Sequence, residues 1–145
     1  MDGFNPNWLA MLVASASSLV VGFFWYGPLF GKAWMRESGM TEEKIKTGNM
    51  ALIFGMSFVF AFVLSFMLWG LVMFGGGNGE IHGKEPYLTF KHGAFHGALM
   101  ALLFVAPILG TIALYERRSF KYVIIAVGYW TITLAIMGGI INAWV

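Results

Sequence analysis

Four long stretches of the chain consist almost entirely of apolar and small residues, and three polar loops separate them. The stretches cover about 7–29, 51–74, 93–115 and 122–145, and none contains Asp, Glu, Lys or Arg. A helix rises about 1.5 Å per residue, so about 20 residues cross a hydrocarbon core about 30 Å thick. Runs this long favour helices over the short alternating strands of a barrel. The pattern therefore predicts an all-α membrane protein, a four transmembrane helix bundle.

The first loop, Gly31 to Asn49, carries a pattern of its own. Thr41 is a residue type that caps helices, two acidic residues follow it, and Lys44 and Lys46 come next. Acidic residues near the start of a helix and basic residues near its end complement the helix dipole. The loop therefore predicts a short helix, which we expect to lie at the cytoplasmic surface of the membrane.

The composition agrees with a single membrane domain. Of the 145 residues, 59% are hydrophobic and 11% are charged, which is far from the average of soluble proteins. The net charge is +2, and the basic residues lie beside the ends of the spans rather than in a stripe that a duplex could follow, so no nucleic-acid partner is expected. Cysteine is absent, which excludes disulfides, thiol redox catalysis and thiolate metal sites.

The Lys and Arg residues are divided unevenly between the two sides of the predicted bundle. Seven lie in the first and third loops, and the other two lie in or just after the second. The seven are Lys32, Arg36, Lys44, Lys46, Arg117, Arg118 and Lys121. By the positive-inside rule, the side richer in Lys and Arg faces the cytoplasm. We therefore expect both termini to lie outside the cytoplasm.

Small residues recur along one face of each predicted helix at intervals of about one turn. In the third helix, Gly93, Gly97 and Ala101 form a Gly-xxx-Gly row. Lipid supplies no hydrophobic drive between helices, so faces that allow close backbone approach are the expected contacts. The predicted packing residues are Ala10, Ala14, Ser18, Gly22, Ser57, Ala61, Gly93, Gly97, Ala101 and Gly138.

Polar residues within the spans have a second interpretation. Ser15, Ser18, Ser57, Thr131 and Asn142 could line a polar path. Small hydroxyl groups usually bond carbonyls of their own helix, however, and this needs no path. The spans also lack the charged residues that usually carry proton coupling in small transporters. A path is therefore the alternative to simple packing.

Two histidines stand out among the residues of the third stretch. His92 and His96 are one turn apart, hence on one helix face and about 6 Å apart along the axis. This spacing suits two ligands of one metal ion, with a third from the glycine-rich second loop, where His82, Glu80 and Glu85 are available. The other interpretation is a pair of imidazoles bonded to carbonyls or water at the membrane surface. No other metal site and no cofactor are predicted.

Several segments together resemble one known family. Residues 7–9 read NWL, residues 25–28 read WYGP and residues 29–43 read LFGKAWMRESGMTEE. Residues 115–121 read YERRSFK, and Gly128, Tyr129, Met137, Gly138 and Trp144 follow. These features resemble the bacterial membrane family called domain of unknown function 1761. The resemblance implies a small four-helix protein of a bacterial inner membrane with no assigned reaction. Many relatives have His where this chain has Trp130, so no role of that histidine carries over.

Two classes of function remain open. The first is a non-enzymatic interaction protein, either a homo-oligomer or an accessory subunit of a larger membrane complex, whose partners are the lipid bilayer and other membrane helices. The second is a small transporter or channel with a path lined by Ser, Thr and Asn and with the histidines at its outer mouth. A lipid-modifying enzyme ranks third, because no nucleophile, base and orienting group can be assigned together. We expect the first class and no catalysis.

Overall fold

The computed structural model describes residues 5–75 and 88–144, and within these ranges the chain is helical between short turns. Helix α1 spans Trp8–Phe24 and continues as a π-helical turn, Trp25–Leu29. Two short helices follow, α2 at Gly31–Ser38 and α3 at Glu42–Thr47. The rest of the fold consists of α4 (Met50–Gly75), α5 (Phe90–Met100), a second π-helical turn (Ala101–Val105), α6 (Ala106–Tyr115) and α7 (Phe120–Ala143).

Four segments are long and apolar enough to cross a membrane, namely Trp8–Leu29, Met50–Leu71, Phe90–Tyr115 and Phe120–Ala143. The predicted all-α fold with four such helices is confirmed. The last two begin earlier than the apolar pattern indicates, because polar residues cap them. The Thr89 hydroxyl accepts a hydrogen bond from the backbone N–H of His92 at 3.3 Å, and Ser119 accepts one from Tyr122 at 3.1 Å.

The first loop contains two short helices rather than one. The predicted cap at Thr41 is confirmed, because its hydroxyl accepts a hydrogen bond from the backbone N–H of Lys44 at 3.2 Å. The preceding helix, α2, ends at Ser38, and its C-cap residue, Gly39, has φ of 72°. Glycine adopts this left-handed conformation without the steric cost of a Cβ atom, so the chain turns there into α3.

Helix α7 is the centre of the bundle and contacts α1, α4 and α5, while α1 also contacts α4. The buried apolar residues come from all four membrane-length segments and include Met11, Trp69, Ala101, Leu134 and Met137. Much of the outer surface is apolar, with Phe23, Phe60 and Leu103 each more than half exposed. This inverted distribution suits a protein whose solvent is lipid.

Hydrogen bonds define two ends of the bundle. At the terminal end, the Asn7 amide donates to the carbonyl oxygen of Trp144, and the Asn142 amide donates to that of Thr89, both at 2.6 Å. The opposite end, called the charged end below, comprises residues 31–49 and 116–121. There the Arg118 side chain donates to the carbonyl oxygen of Ser38 at 2.9 Å.

Candidate functional site

The candidate site is a cluster of aromatic and polar residues at the charged end, where α1 passes into α2. The π-helical turn Trp25–Leu29 contains Pro28, which has no N–H to donate, and Gly27, whose φ of −106° and ψ of −105° are not helical. The chain then folds back so tightly that a Cβ on Gly31 would lie 2.6 Å from the carbonyl oxygen of Tyr26. Only glycine fits at this position. π-Helical turns often occur at functional positions of membrane and soluble helices.

This turn aims the Trp25 ring at α7. The indole N–H donates a hydrogen bond to the carbonyl oxygen of Ile125 at 3.0 Å. Gly128, one turn further along α7, makes room for the ring, because a Cβ there would lie 2.7 Å from the indole Cζ2 atom. The hydrogen bond therefore depends on a glycine 103 positions away from the tryptophan that it accommodates.

Two tyrosines extend the cluster toward the middle of the bundle. The Tyr129 hydroxyl donates to the carbonyl oxygen of Ser18 at 3.1 Å, and its ring lies 3.6 Å from the position of a Cβ on Gly22. The Tyr26 ring lies between Tyr129 and Trp34, with centroid distances of 5.2 and 5.5 Å. Thr133 lies one turn after Tyr129, and the Tyr129 hydroxyl is its polar neighbour. Among the described residues, no group forms a hydrogen bond of ordinary geometry with the buried Thr133 hydroxyl.

Polar contacts attach α2 to the connection between α6 and α7. The Ser119 hydroxyl donates to the Glu37 carboxylate at 2.7 Å and at the same time caps α7. Arg118 donates to a Glu116 carboxylate oxygen at 3.3 Å in addition to the Ser38 carbonyl, and its guanidinium lies 5.3 Å from the centre of the Tyr122 ring. The charged end is thus held by hydrogen bonds between segments about 80 residues apart in the chain.

The cluster contains residues from two of the segments that carry the family resemblance, WYGP at 25–28 and the pair Gly128 and Tyr129. A comparison with family models finds a match to a family described as "Protein of unknown function (DUF1761)" over residues 9–142. The chain belongs to the DUF1761 family. No curated protein and no solved structure matches it. Trp130 packs against the buried core with its ring centroid 5.1 Å from that of Tyr129.

The histidine pair lies at the other end of this DUF1761 protein, in the first turns of α5. The Nε2 atoms of His92 and His96 are 3.1 Å apart, which is hydrogen-bonding distance for two neutral imidazoles. It is also close to the separation of two nitrogen ligands on one zinc ion, given Zn–N distances of about 2.0–2.1 Å and tetrahedral geometry. No cluster of three metal-ligating side chains occurs within 5–75 and 88–144. The third ligands suggested by the sequence, His82, Glu80 and Glu85, lie outside the described residues.

Most of the small residues chosen for packing lie inside the bundle. Ala10, Ala14, Ser18, Ala61, Gly93, Gly97, Ala101 and Gly138 are buried. A Cβ on Gly93 would overlap the carbonyl oxygen of Gly138, and one on Gly97 would overlap that of Leu134, so the α5 and α7 backbones are in contact. Gly22 is half-buried under Tyr129. Ser57 differs from the rest, because it is exposed on α4.

The five residues considered for a polar path lie in separate places. The Ser15 hydroxyl donates to the Met11 carbonyl oxygen at 2.6 Å and lies 3.4 Å from the Ser65 hydroxyl oxygen. The Ser18 hydroxyl donates to the Ser15 carbonyl oxygen at 2.6 Å. Thr131 bonds the Val127 carbonyl of its own helix. Asn142 is at the terminal end and Ser57 is on the outer surface of α4. Within one copy of the described chain, these residues do not line one channel.

The site residues predicted from the sequence do not include Trp25, Tyr26, Tyr129 or Ser119. The signal that could have found them was the resemblance itself, since its motif residues include a proline and two glycines at the ends of spans. Gly and Pro at such positions indicate a constrained backbone, and a constrained backbone positions the aromatic side chains next to it. The two motif segments could then have been expected to meet.

Proposed function

We propose that this protein is a non-enzymatic subunit of a membrane assembly, and that it packs against a second copy of itself through the first half of α4. The observation that carries the proposal is an exposed serine on a membrane-length helix. Every residue from Met50 to Phe60 is exposed except Phe58, which is half-buried. These 11 residues cover about 16 Å of helix, or about half of a hydrocarbon core.

The exposed first half of α4 shares one helix face with the second half, where that face is buried in the bundle. Ser57, Ala61 and Ser65 follow each other at intervals of four residues, so they share one face of the helix. Ala61 and Ser65 are buried in the bundle, and Ser65 faces Ser15 of α1. Ser57 is exposed, so the same face is uncovered there. A helix of another copy can occupy it in the way that α1 occupies the second half.

The hydroxyl groups support this arrangement. Ser15, Ser17, Ser18 and Ser65 each donate to a backbone carbonyl of their own helix. Among the described residues, the Ser57 hydroxyl has no hydrogen-bond partner. A polar group that faces lipid without a partner is unfavourable, and serine hydroxyls at helix contacts in membranes bond across the contact. A bond to the second copy would satisfy Ser57.

The absence of catalysis is part of the same proposal. At the charged end, the indole of Trp25 and the hydroxyl of Tyr129 are bonded to backbone carbonyls, and Ser119 is bonded to Glu37 and caps α7. These groups hold helices together. We further propose that the membrane is a bacterial inner membrane with both termini outside the cytoplasm, which the uneven division of Lys and Arg supports.

Cysteine cross-linking tests the assembly, because the chain has no cysteine of its own. In native membranes, a Ser57→Cys variant should form a disulfide-linked dimer on mild oxidation, since two such residues at a shared contact can bring their Cα atoms within about 7 Å. Thr111→Cys is the matched control, because Thr111 is an exposed hydroxyl residue near the charged end of another span whose oxygen already bonds the Pro107 carbonyl.

The expected result is a dimer with Ser57→Cys and none with Thr111→Cys, together with a dimer of the wild-type chain in native mass spectrometry from a mild detergent. Equal cross-linking of both variants would indicate random collision. A monomeric wild-type protein would overturn the proposal, and so would one copy bound to a different subunit, which would favour the accessory role instead.

A further inference from the structure

We propose that the charged end binds one anionic phospholipid, whose acyl chain lies in an apolar groove along α7 and whose phosphate contacts Arg117 and Lys121. This site is independent of the proposed assembly, because it lies on a different helix from the first half of α4. The inference rests on the shape of the groove, on its depth and on the charges at its mouth.

The groove follows one face of α7 and has a volume of about 440 Å³. It is lined by Leu102, Phe120, Val123, Ile124, Val127, Gly128, Thr131 and Ile132. The α7 residues recur at intervals of three and four, so they form a continuous stripe. Thr131 is the one hydroxyl residue in the lining, and its oxygen is bonded to the Val127 carbonyl. The lining therefore offers only apolar contact.

The third span borders the groove where its own geometry changes. Gly93 and Gly97 hold α5 directly against α7, and the π-helical turn Ala101–Val105 then widens the helix just before Pro107. Leu102 of this turn is the residue of the third span that lines the groove. The groove is therefore open on its outer side, which would face lipid in the membrane.

The depth of the groove matches one leaflet. From Phe120 to Ile132 the helix rises about 18 Å, at about 1.5 Å per residue. Half of a hydrocarbon core is about 15 Å. An acyl chain beside α7 can therefore start at Phe120, at the charged end, and reach Ile132 near the middle of the membrane.

Basic residues without an acidic partner lie close in sequence to Phe120, the lining residue at the charged end. Residues 31–49 and 116–121 hold seven basic and four acidic residues. Among the described residues, the ion pairs are Arg36 with Glu37 and Arg118 with Glu116, so Arg117 and Lys121 have no acidic partner there. Lys121 directly follows Phe120, and Arg117 lies three residues before it. Basic pockets between membrane helices on the cytoplasmic side are suited to anionic head groups, and a guanidinium binds a phosphate through two parallel hydrogen bonds.

The test uses phosphatidylglycerol and phosphatidylcholine with identical acyl chains. Each is titrated into the full chain in a mild detergent, and bound lipid is counted by native mass spectrometry. We expect phosphatidylglycerol to bind roughly 30-fold more tightly, because Lys and Arg near an anionic surface each contribute about 1 kcal/mol. The double variant Arg117→Asn, Lys121→Gln should remove this preference. Asn is chosen because Arg117 has φ of 54°, which Asn tolerates better than most residues.

Matched controls separate this site from general attraction of charge. Lys44→Gln, Lys46→Gln removes two charges from α3 at the same end and should change the preference by less than about twofold. Val127→Trp fills the groove and should weaken binding of both lipids, whereas Val20→Trp, at a position 56% exposed on α1, should not. Equal binding of the two lipids, or an equal loss in the Lys44, Lys46 control, would overturn the proposal. A groove variant that dissociates a dimer instead would show that a second copy occupies the groove.

Discussion

The contact between α5 and α7 predicts a large effect of a single methyl group. A Cβ on Gly97 would overlap the carbonyl oxygen of Leu134, with the backbone nitrogen of Ala135 3.0 Å away. All of these atoms belong to the backbone of α7, so no side chain can rotate to make room. The two helices must instead separate, which also weakens the contacts around Gly93 and Gly138. Overpacking in a well-packed interior typically costs about 1–3 kcal/mol, and a rigid backbone neighbour places Gly97→Ala near the upper value.

Gly110→Ala is the matched control, because Gly110 lies in the same span and a Cβ there would have no atom within 4 Å. Alanine is favoured over glycine within a helix by about 0.5–1 kcal/mol, so this variant should be neutral or slightly more stable. Unfolding by SDS in mixed micelles, followed by tryptophan fluorescence, gives both free energies. We expect the variants to differ by about 3 kcal/mol, or roughly 150-fold in the unfolding equilibrium constant. Equal stabilities would mean that α5 does not pack against α7 through this face.

Three further measurements address the membrane orientation, the histidine pair and the aromatic cluster. Alkaline phosphatase fused after Val145 should be active and phosphatase inserted near Thr41 inactive, and the reverse pattern would contradict the orientation derived from Lys and Arg. Zinc should bind the wild-type chain more tightly at about pH 7.5 than at about pH 5.5, since ligation needs neutral imidazole. Binding should disappear in His92→Ala and in His96→Ala. If no saturable zinc binding occurs at either pH, the two histidines form only a hydrogen-bonded pair. Trp25→Phe should lower the free energy of unfolding by about 0.5–1.5 kcal/mol through loss of the hydrogen bond to Ile125. Trp34→Phe should lower it less, because the Trp34 indole has no hydrogen bond to the described residues. Equal losses in the two variants would contradict the role of the Trp25 hydrogen bond.

The positions of the helices could be predicted from the sequence because lipid imposes a simple rule on the backbone. Spans must be helical and about 20 residues long, so uncharged runs locate them within a few residues. The errors occurred at the ends. The apolar pattern placed the third and fourth spans two or three residues too late, because Thr89 and Ser119 begin their helices before the apolar run starts. Capping residues, rather than hydrophobicity, decide where such a helix begins.

The candidate site could not be predicted in the same way, because the rotation of each helix is hidden. In a soluble protein, a polar face shows which side of a helix is buried. Here the inner and outer faces are both apolar, and α4 has Phe, Leu and Val residues on every side. Ser57 and Ser65 look alike in the sequence, yet Ser65 is fully buried and Ser57 is exposed. Ser65 lies against Ser15 of α1, and the sequence does not show this contact.

Two features decide which helices pair, namely the small residues on their faces and the length of the segment that connects them. Close approach needs small residues on both partners, so the row on α5 is informative only together with Gly138 on α7. Four residues, 116–119, connect α6 to α7, and so short a connection makes the third and fourth spans antiparallel neighbours. The pairing of their glycines was therefore accessible from the sequence. Trp25 and Ile125 are 100 residues apart with two spans between them, and no local rule brings them together. In the sequence, this contact is marked by a tryptophan three residues before Pro28 and by Gly128 on α7, and neither residue indicates the other as its partner.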